Sequence, residues 1–243
     1  MQMNAFSQSV YTLDLKKDLF IGALSLGAGI TPFLIKNEPE NMPGILNKNR
    51  VNNFDRPLMF SHNRPLDLIS DYAPFGLALL PAISVIPNIE HTDVVLTYCI
   101  MYSEALLLTY GTVFSLKSAI IRYRPYMYAN GVPSGKEKDY YNSFPSGAAS
   151  FAFLSATFLS TTFSQEFPES KWKFPIIFGS YTLAVATGAM RILAGSHFLT
   201  DVLAGAAISS IYGWLIPWLH LRNNNDKLAL IPIGNGIMVS LRF

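Results

Sequence analysis

Three short clusters in this chain pair cations with groups able to hold or attack a phosphoryl centre, and each has a plainer reading beside the chemical one. Lys117 and Arg124 stand seven residues apart, so a helix running as far as Pro125 would return both cations to nearly one face. An Arg fork with a Lys point charge clamps phosphate oxygens well; the plainer reading is two basic side chains snorkelling from a helix end. Ser143-Phe144-Pro145-Ser146-Gly147 opens an apolar run, where Ser146 can cap a helix and the free N–H groups of its first turn can face an anion. The plainer reading is a helix start alone. Arg191, His197 and Asp201 form the third cluster, with His197 and Asp201 on one helical face by their spacing. A carboxylate there can fix the imidazole tautomer and leave the other ring nitrogen free as a nucleophile or base. The alternative is a loop histidine beside an aspartate that caps the next helix.

The other titratable residues have less company. His62 lies in a long polar connection, His91 in a short loop and His220 at a helix end, and all three read as surface residues. No His, Cys or carboxylate pair has metal-ligand spacing, so neither a metal nor another cofactor is expected. Glu104 sits in the middle of an apolar run, where an ionisable group is a functional candidate by default. Tyr102, Ser103 and Tyr110 are at hand as partners for a protonated structural glutamate. The lone Cys99 reads as a small buried hydrophobe.

Apolar stretches able to position these clusters fall at Leu19 to Ile35, Ala73 to Ile89, Val94 to Leu116, Ser143 to Phe163, Phe174 to Met190 and Val202 to Leu219. The expected fold is all-α, a six-helix membrane bundle, since 50% of the 243 residues are hydrophobic and only 14% charged. Several runs are near the lower limit of about 17 residues for crossing ~30 Å of hydrocarbon, so buried helices of a water-soluble protein stay open. If six helices alternate across a bilayer, all three clusters reach one face. Trp172, Trp214 and Trp218 then mark the opposite interface, and Tyr123, Tyr126, Tyr140 and Tyr141 belt the cluster face. Lys16 and Lys17 before the first helix favour a cytoplasmic N-terminus and an extracytoplasmic cluster face, although the wider count of basic residues runs the other way.

The first 18 residues lack the succession of a cleavable signal. Residues 36 to 72 form a long polar connection whose FDRPLMFSHNRPLD segment reads as amphipathic and interfacial. A six-helix domain is expected over 1–226 and a tail over 227–243. In that tail Gly234-Asn235-Gly236 signals a hairpin turn, and Ile237, Val239, Leu241 and Phe243 alternate as a strand would. The net charge of +2 is too small to suggest a nucleic-acid partner, and no protein partner is evident.

Taken together, the three clusters resemble the signature of the type 2 phosphatidic acid phosphatase family. In that family Lys, six residues, Arg-Pro is followed by Pro-Ser-Gly-His, then by Arg, five residues, His, three residues, Asp. The first element is matched at Lys117 to Pro125 and the third at Arg191, His197 and Asp201, with Met190 where a Ser often precedes the Arg. The second reads Pro145-Ser146-Gly147-Ala148. The resemblance covers roughly residues 55 to 220. It implies metal-independent hydrolysis of a lipid phosphate or pyrophosphate through a phosphohistidine, with His197 as nucleophile and Asp201 as its orienting partner. Lys117, Arg124, Arg191, Ser146 and Gly147 would bind the phosphoryl oxygens. Ala148 stands where the family's leaving-group acid, a histidine, is expected, which implies impaired turnover. The one-residue departure from Pro-Ser-Gly-His-Ala-Ser favours a deliberate inactivating change over a natural pseudoenzyme. Soluble acid phosphatases and vanadium haloperoxidases resemble the same constellation, and a lipid-phosphate binder or transporter is the non-enzymatic alternative. By resemblance the substrate is a lipid phosphate met in the membrane, and the expected location is a bacterial inner membrane with the site outside the cytoplasm.

Overall fold

The computed structural model describes residues 9–222, together with the backbone of residues 228–233 and 236–241. α1 (Leu15–Leu34) starts where the Asp14 carboxylate accepts the Lys17 N–H at 2.8 Å. α2 (Arg64–Leu77) starts behind Asn63, which caps Leu66 N–H, with Pro65 in the first turn. A one-turn α3 (Ala82–Val85) and a 3₁₀ turn at Ile86–Asn88 follow. α4 (Thr92–Ala119), α5 (Gly147–Glu166), α6 (Lys173–Leu193) and α7 (Leu199–Leu219) complete the helical set. β1 (Leu228–Ile233) and β2 (Gly236–Leu241) pair antiparallel from Leu228↔Leu241 to Ile233↔Gly236. The expected hairpin is therefore present, while its turn residues Gly234 and Asn235, and the expected domain boundary at 226, lie outside the described residues.

Five helical segments are long and apolar enough to cross a membrane: Leu15–Leu34, Arg64–Asn88, Thr92–Ala119, Lys173–Leu193 and Leu199–Leu219. Their outward faces carry Phe20, Leu24, Phe33, Phe75, Phe174, Phe178 and Trp214 in the open. Only 11% of the apolar window of α1 is buried. Water would not tolerate so continuous an apolar surface, whereas hydrocarbon does. The chain is thus a helical membrane bundle, and the water-soluble alternative is set aside. Cys99 shares this outward position: it is exposed rather than buried.

α5 is the hub, packed against α2, α4, α6 and α7. Its hydroxyls fold back on its own backbone, Ser150 onto the Ser146 carbonyl, Ser155 onto Phe151 and Ser160 onto Ala156, so that a Ser/Thr-rich helix can be buried without orphaned groups. α7 meets it along small residues. A Cβ at Gly205 would lie 2.7 Å from the Ser146 carbonyl oxygen, and one at Gly213 would lie 3.0 Å from that of Leu154. This close approach of helices is the usual solution where no hydrophobic force draws them together.

Four expectations need correction. α2 begins well before Ala73, because the Asn63 cap and Pro65 initiate it, and Pro81 and Pro87, which lack an N–H to donate, break the expected run into short turns. The polar connection is also more than an interfacial segment, since it buries Asp55 and Asp67 in the protein. Finally, α4 stops at Ala119 instead of reaching Pro125. Ile120 is extended, and beyond it the N–H groups of Arg122 and Arg124 donate to the Tyr141 and Tyr140 carbonyls, both at 2.9 Å. The tyrosines follow that strand-like exchange inward: Tyr126 and Tyr140 are buried beneath Tyr123 instead of belting an interface.

Candidate active site

Lys117, Arg124, Gly147, Ala148, Arg191 and His197 line a single cavity of about 510 Å³. Lys117 and Arg124 arrive by different routes, one from the last turn of α4 and the other from the extended segment after it. Lys117 Nζ donates to the Asn142 carbonyl at 2.7 Å. Arg124 donates through Nε to the Asp139 carbonyl at 2.8 Å, through Nη2 to the Asp139 carboxylate at 2.6 Å, and through Nη1 to the Ser196 carbonyl at 2.8 Å. Arg191, in the last turn of α6, reaches Asp67 at 3.0 Å and Asp71 at 2.6 Å through Nη1. Its Nε is buried and finds no hydrogen-bond partner among the described residues.

His197 sits between α6 and α7, fully enclosed. The loop can turn there because Gly195 holds φ +68, a conformation that other residues adopt only with strain. A Cβ at that position would also lie 2.5 Å from the Phe60 carbonyl oxygen. His197 Nδ1 lies 2.7 Å from the Ser143 carbonyl oxygen, which can only accept, so Nδ1 carries the proton and Nε2 the lone pair. Nε2 in turn lies 3.1 Å from Arg124 Nη1.

Asp201 is not the direct partner that the spacing suggested. His197 precedes α7 and Asp201 lies in its first turn, with Oδ2 3.7 Å from Nδ1, beyond hydrogen-bonding range. That oxygen accepts instead from Ser143 Oγ at 2.6 Å and from Phe198 N–H at 2.8 Å, while Oδ1 pairs with Arg122. Asp201 therefore holds the Ser143 residue whose carbonyl holds the imidazole, and it caps α7 as well. Ser146 also stands behind the cavity, fully buried, N-capping α5 with its hydroxyl 3.5 Å from Ala149 N–H and donating its own N–H to the Asp201 carbonyl at 3.0 Å. Gly147 and Ala148 open the helix at the cavity wall, where first-turn N–H groups lack intrahelical acceptors.

A second layer was missed from the sequence. Arg122 bridges Asp201 to Asp55, at 2.6 Å from the latter, and lies 4.6 Å above the Phe198 ring. Asp55 also accepts from the Thr200 N–H and hydroxyl, at 3.0 and 2.6 Å. Burial would raise the Asp55 carboxyl, but these bonds with Asn52 and Arg122 hold it below its ordinary value. Asp67 gathers Arg191, Ser196 and, at 2.7 Å, Lys136. The available signal was the spacing of Asp67 and Asp71 behind a capped, Pro-initiated helix start. His62, expected at the surface, is partly buried with Nε2 3.4 Å from Asp67.

Burial, and then the cations Arg124, Arg191 and Lys117, push the His197 imidazole well below its ordinary value near 6.5. As pH falls through about 6.5 the unfolded chain takes up a proton that the folded chain refuses, so this group's effect on stability becomes progressively unfavourable toward acid. In a ¹³C-histidine spectrum of the detergent-solubilised chain, the resonance that disappears in His197→Ala should stay at its neutral position from pH 8 to 6. A midpoint near 6.5 would contradict the burial and cationic surroundings described.

The same cavity is also lined by Pro74 and Phe75 of α2, Ala78 just past its end, Leu106 and Phe114 of α4, and Phe151 of α5. The whole is a membrane-embedded helical bundle that joins a cationic, histidine-containing pocket to an apolar groove. Residues 98–225 match the PAP2 superfamily, and the chain belongs to that superfamily. Over 93 residues, 38% of this chain, it is 33% identical to the lipid A 1-phosphatase of Porphyromonas gingivalis. The match spans 18% of that relative's length. No solved structure matches the chain.

Proposed function

We propose that this site is built for metal-independent dephosphorylation of a lipid phosphate or pyrophosphate through a phosphohistidine, and that Ala148 impairs turnover in this chain. The observation that carries the reading is the lining of one cavity, in which Lys117, Arg124, Arg191 and His197 meet the apolar side chains of Phe75, Leu106, Phe114 and Phe151 from membrane-spanning and buried helices. A phosphate headgroup suits the cations and an acyl chain the apolar side chains. In this reaction His197 Nε2 gives its lone pair to phosphorus as the bond to the leaving oxygen breaks. Water then attacks the phosphohistidine and releases inorganic phosphate. Lys117, Arg124 and Arg191 balance charge on the phosphoryl oxygens, with the unpartnered Arg191 Nε as a ready donor. The N-terminus of α5 at Gly147 adds N–H groups, and Ser146 fixes that turn. Asp201 acts as a positioning residue through Ser143.

A side chain at position 148 would face the same cavity as His197, and a histidine there would protonate the leaving oxygen. In this chain the methyl group of Ala148 cannot. For that reason a non-catalytic lipid-phosphate binder is the second reading, and the same experiment separates the two. Phosphate release by Ala148→His is to be measured over lipid A, phosphatidic acid, phosphatidylglycerophosphate and undecaprenyl pyrophosphate. Lipid A heads the panel because of the similarity to a lipid A 1-phosphatase. Release from at least one lipid supports the enzyme, and binding without release from any supports the binder.

The proposed location is a bacterial inner membrane, with the site on the extracytoplasmic face as Lys16 and Lys17 suggest. A Ser134→Cys chain should then react with an impermeant thiol reagent in intact cells, because Ser134 is exposed in the connection between α4 and α5 and Cys99 lies on the outward face of α4. Labelling only after lysis would reverse the orientation.

A further inference from the structure

At the other end of the bundle, Asp18 of α1, Glu104 of α4 and His220 at the end of α7 converge in the interior. Their nearest ligand atoms all lie within 4.8 Å of one another. His220 is fully buried, contrary to the surface position expected of it, and Glu104 is 5% exposed. With α4 rising about 1.5 Å per residue, Glu104 stands roughly 20 Å from Lys117, and none of the three residues lines the phosphate cavity, so the cluster is separate from it.

The hydrogen-bond inventory of the cluster does not close. His220 Nδ1 lies 2.8 Å from the Ile216 carbonyl oxygen and so carries a proton there, and in the neutral ring Nε2 is then the lone-pair nitrogen. Nε2 faces Asp18 Oδ1 at 3.0 Å and Glu104 Oε2 at 3.5 Å. None of these three buried atoms has a hydrogen-bond partner among the described residues. Lys17, the nearest cation in sequence, commits its Nζ to the Leu219 carbonyl at 2.8 Å. With a neutral imidazole and ionised acids, three acceptors point at one another in a mostly buried pocket, an arrangement that is costly unless a proton or a metal cation lies between them. Zinc-like ions take one imidazole nitrogen and carboxylate oxygens at about 2.0–2.2 Å, which places tetrahedral ligands roughly 3.3 Å apart. Two of the three separations already match. The imidazole that donates its other N–H to a backbone carbonyl is also the usual posture of a metal-bound histidine.

We propose that Asp18, Glu104 and His220 form a structural site for a zinc-like divalent cation, tying α1 and the end of α7 to the middle of α4. Two carboxylates neutralise such an ion, as a buried site requires. Sequence spacing could not show it, because each ligand comes from a different helix.

The test uses the full chain in detergent. After purification in zinc-supplemented buffer and exhaustive dialysis, elemental analysis should find about one zinc per chain. Adding zinc to the chelator-stripped chain should raise its melting temperature. Glu104→Gln and His220→Gln should each abolish both the retained metal and the shift, while His197→Ala should keep both, which separates this site from the phosphate cavity. If the variants do not fold, cobalt added to the stripped parent chain decides. A visible absorption band that saturates at one equivalent and is displaced by zinc supports the site, and its absence counts against it. A parent chain that retains no metal and melts at the same temperature with or without zinc overturns the proposal, as does metal retention undiminished in folded Glu104→Gln and His220→Gln.

Discussion

Ala148→His is expected to raise lipid phosphatase activity by roughly 10²- to 10⁴-fold, the usual contribution of a positioned general acid, or about 3 to 5 kcal/mol of barrier. The expectation rests on the state of the rest of the pocket. Lys117, Arg124, Arg191 and His197 line it, the α5 N-terminus opens at its wall, and position 148 belongs to that same wall. The size of the deficit should depend on the leaving group. A lipid alkoxide departs poorly without a proton, whereas an aryl oxide is a stable anion and needs one less. The Ala148 chain should therefore retain relatively more activity on aryl phosphates than on lipid monophosphates, and the restored histidine should narrow the gap. Both substrates are to be measured with both versions at matched concentration. No gain on any phosphate ester by a folded Ala148→His chain would leave the binder reading standing.

In the Ala148→His background, His197→Ala should abolish hydrolysis while Asp201→Asn leaves a measurable rate. The first change removes the atom that attacks. The second leaves the Ser143 carbonyl on His197 Nδ1, at 2.7 Å, and weakens only what holds Ser143, α7 and Arg122 around it. A direct carboxylate–imidazole bond would have predicted a graver loss, because the wrong tautomer would then be favoured. Single-turnover rates on a lipid phosphate, with circular dichroism as a check on folding, distinguish the cases. Full activity in His197→Ala would exclude the mechanism.

The two expectations differ in what made them readable. Lys117, Arg191 and His197 were legible because their residue types carry the chemistry and their order along alternating apolar runs brings them to one face. The path by which they meet was less so. The end of α4 was misplaced because the restraint imposed by Pro125 acts on Arg124, while the helix itself ends where Ile120 turns into an extended exchange with residues 140–143. That pairing is non-local, and no spacing along the chain encodes it. The acids Asp55, Asp67, Asp71 and Asp139 were passed over for a related reason. In sequence they belong to polar connections, and only the folded chain shows them closing on Arg122, Arg191 and Arg124. Asp201 illustrates the limit of helical periodicity: its separation from His197 was read correctly, but His197 lies off the helix, and the carboxylate spends its lone pairs on Ser143, Phe198 and Arg122. The helices themselves were easier, since lipid-facing surfaces must be apolar whatever the interior does.

The most direct test of the central claim, that His197 is poised to attack phosphorus in a cationic pocket, avoids the missing acid altogether. Orthovanadate adopts the five-coordinate geometry of phosphoryl transfer and accepts a nitrogen ligand without needing a leaving group to depart, so the Ala148 chain can be used as it stands. Vanadate binding to the purified chain in detergent should saturate at one equivalent. His197→Ala should weaken it at least 100-fold, and inorganic phosphate should compete for the same site. Equal affinity in the parent and His197→Ala chains, with both folded, would contradict the account.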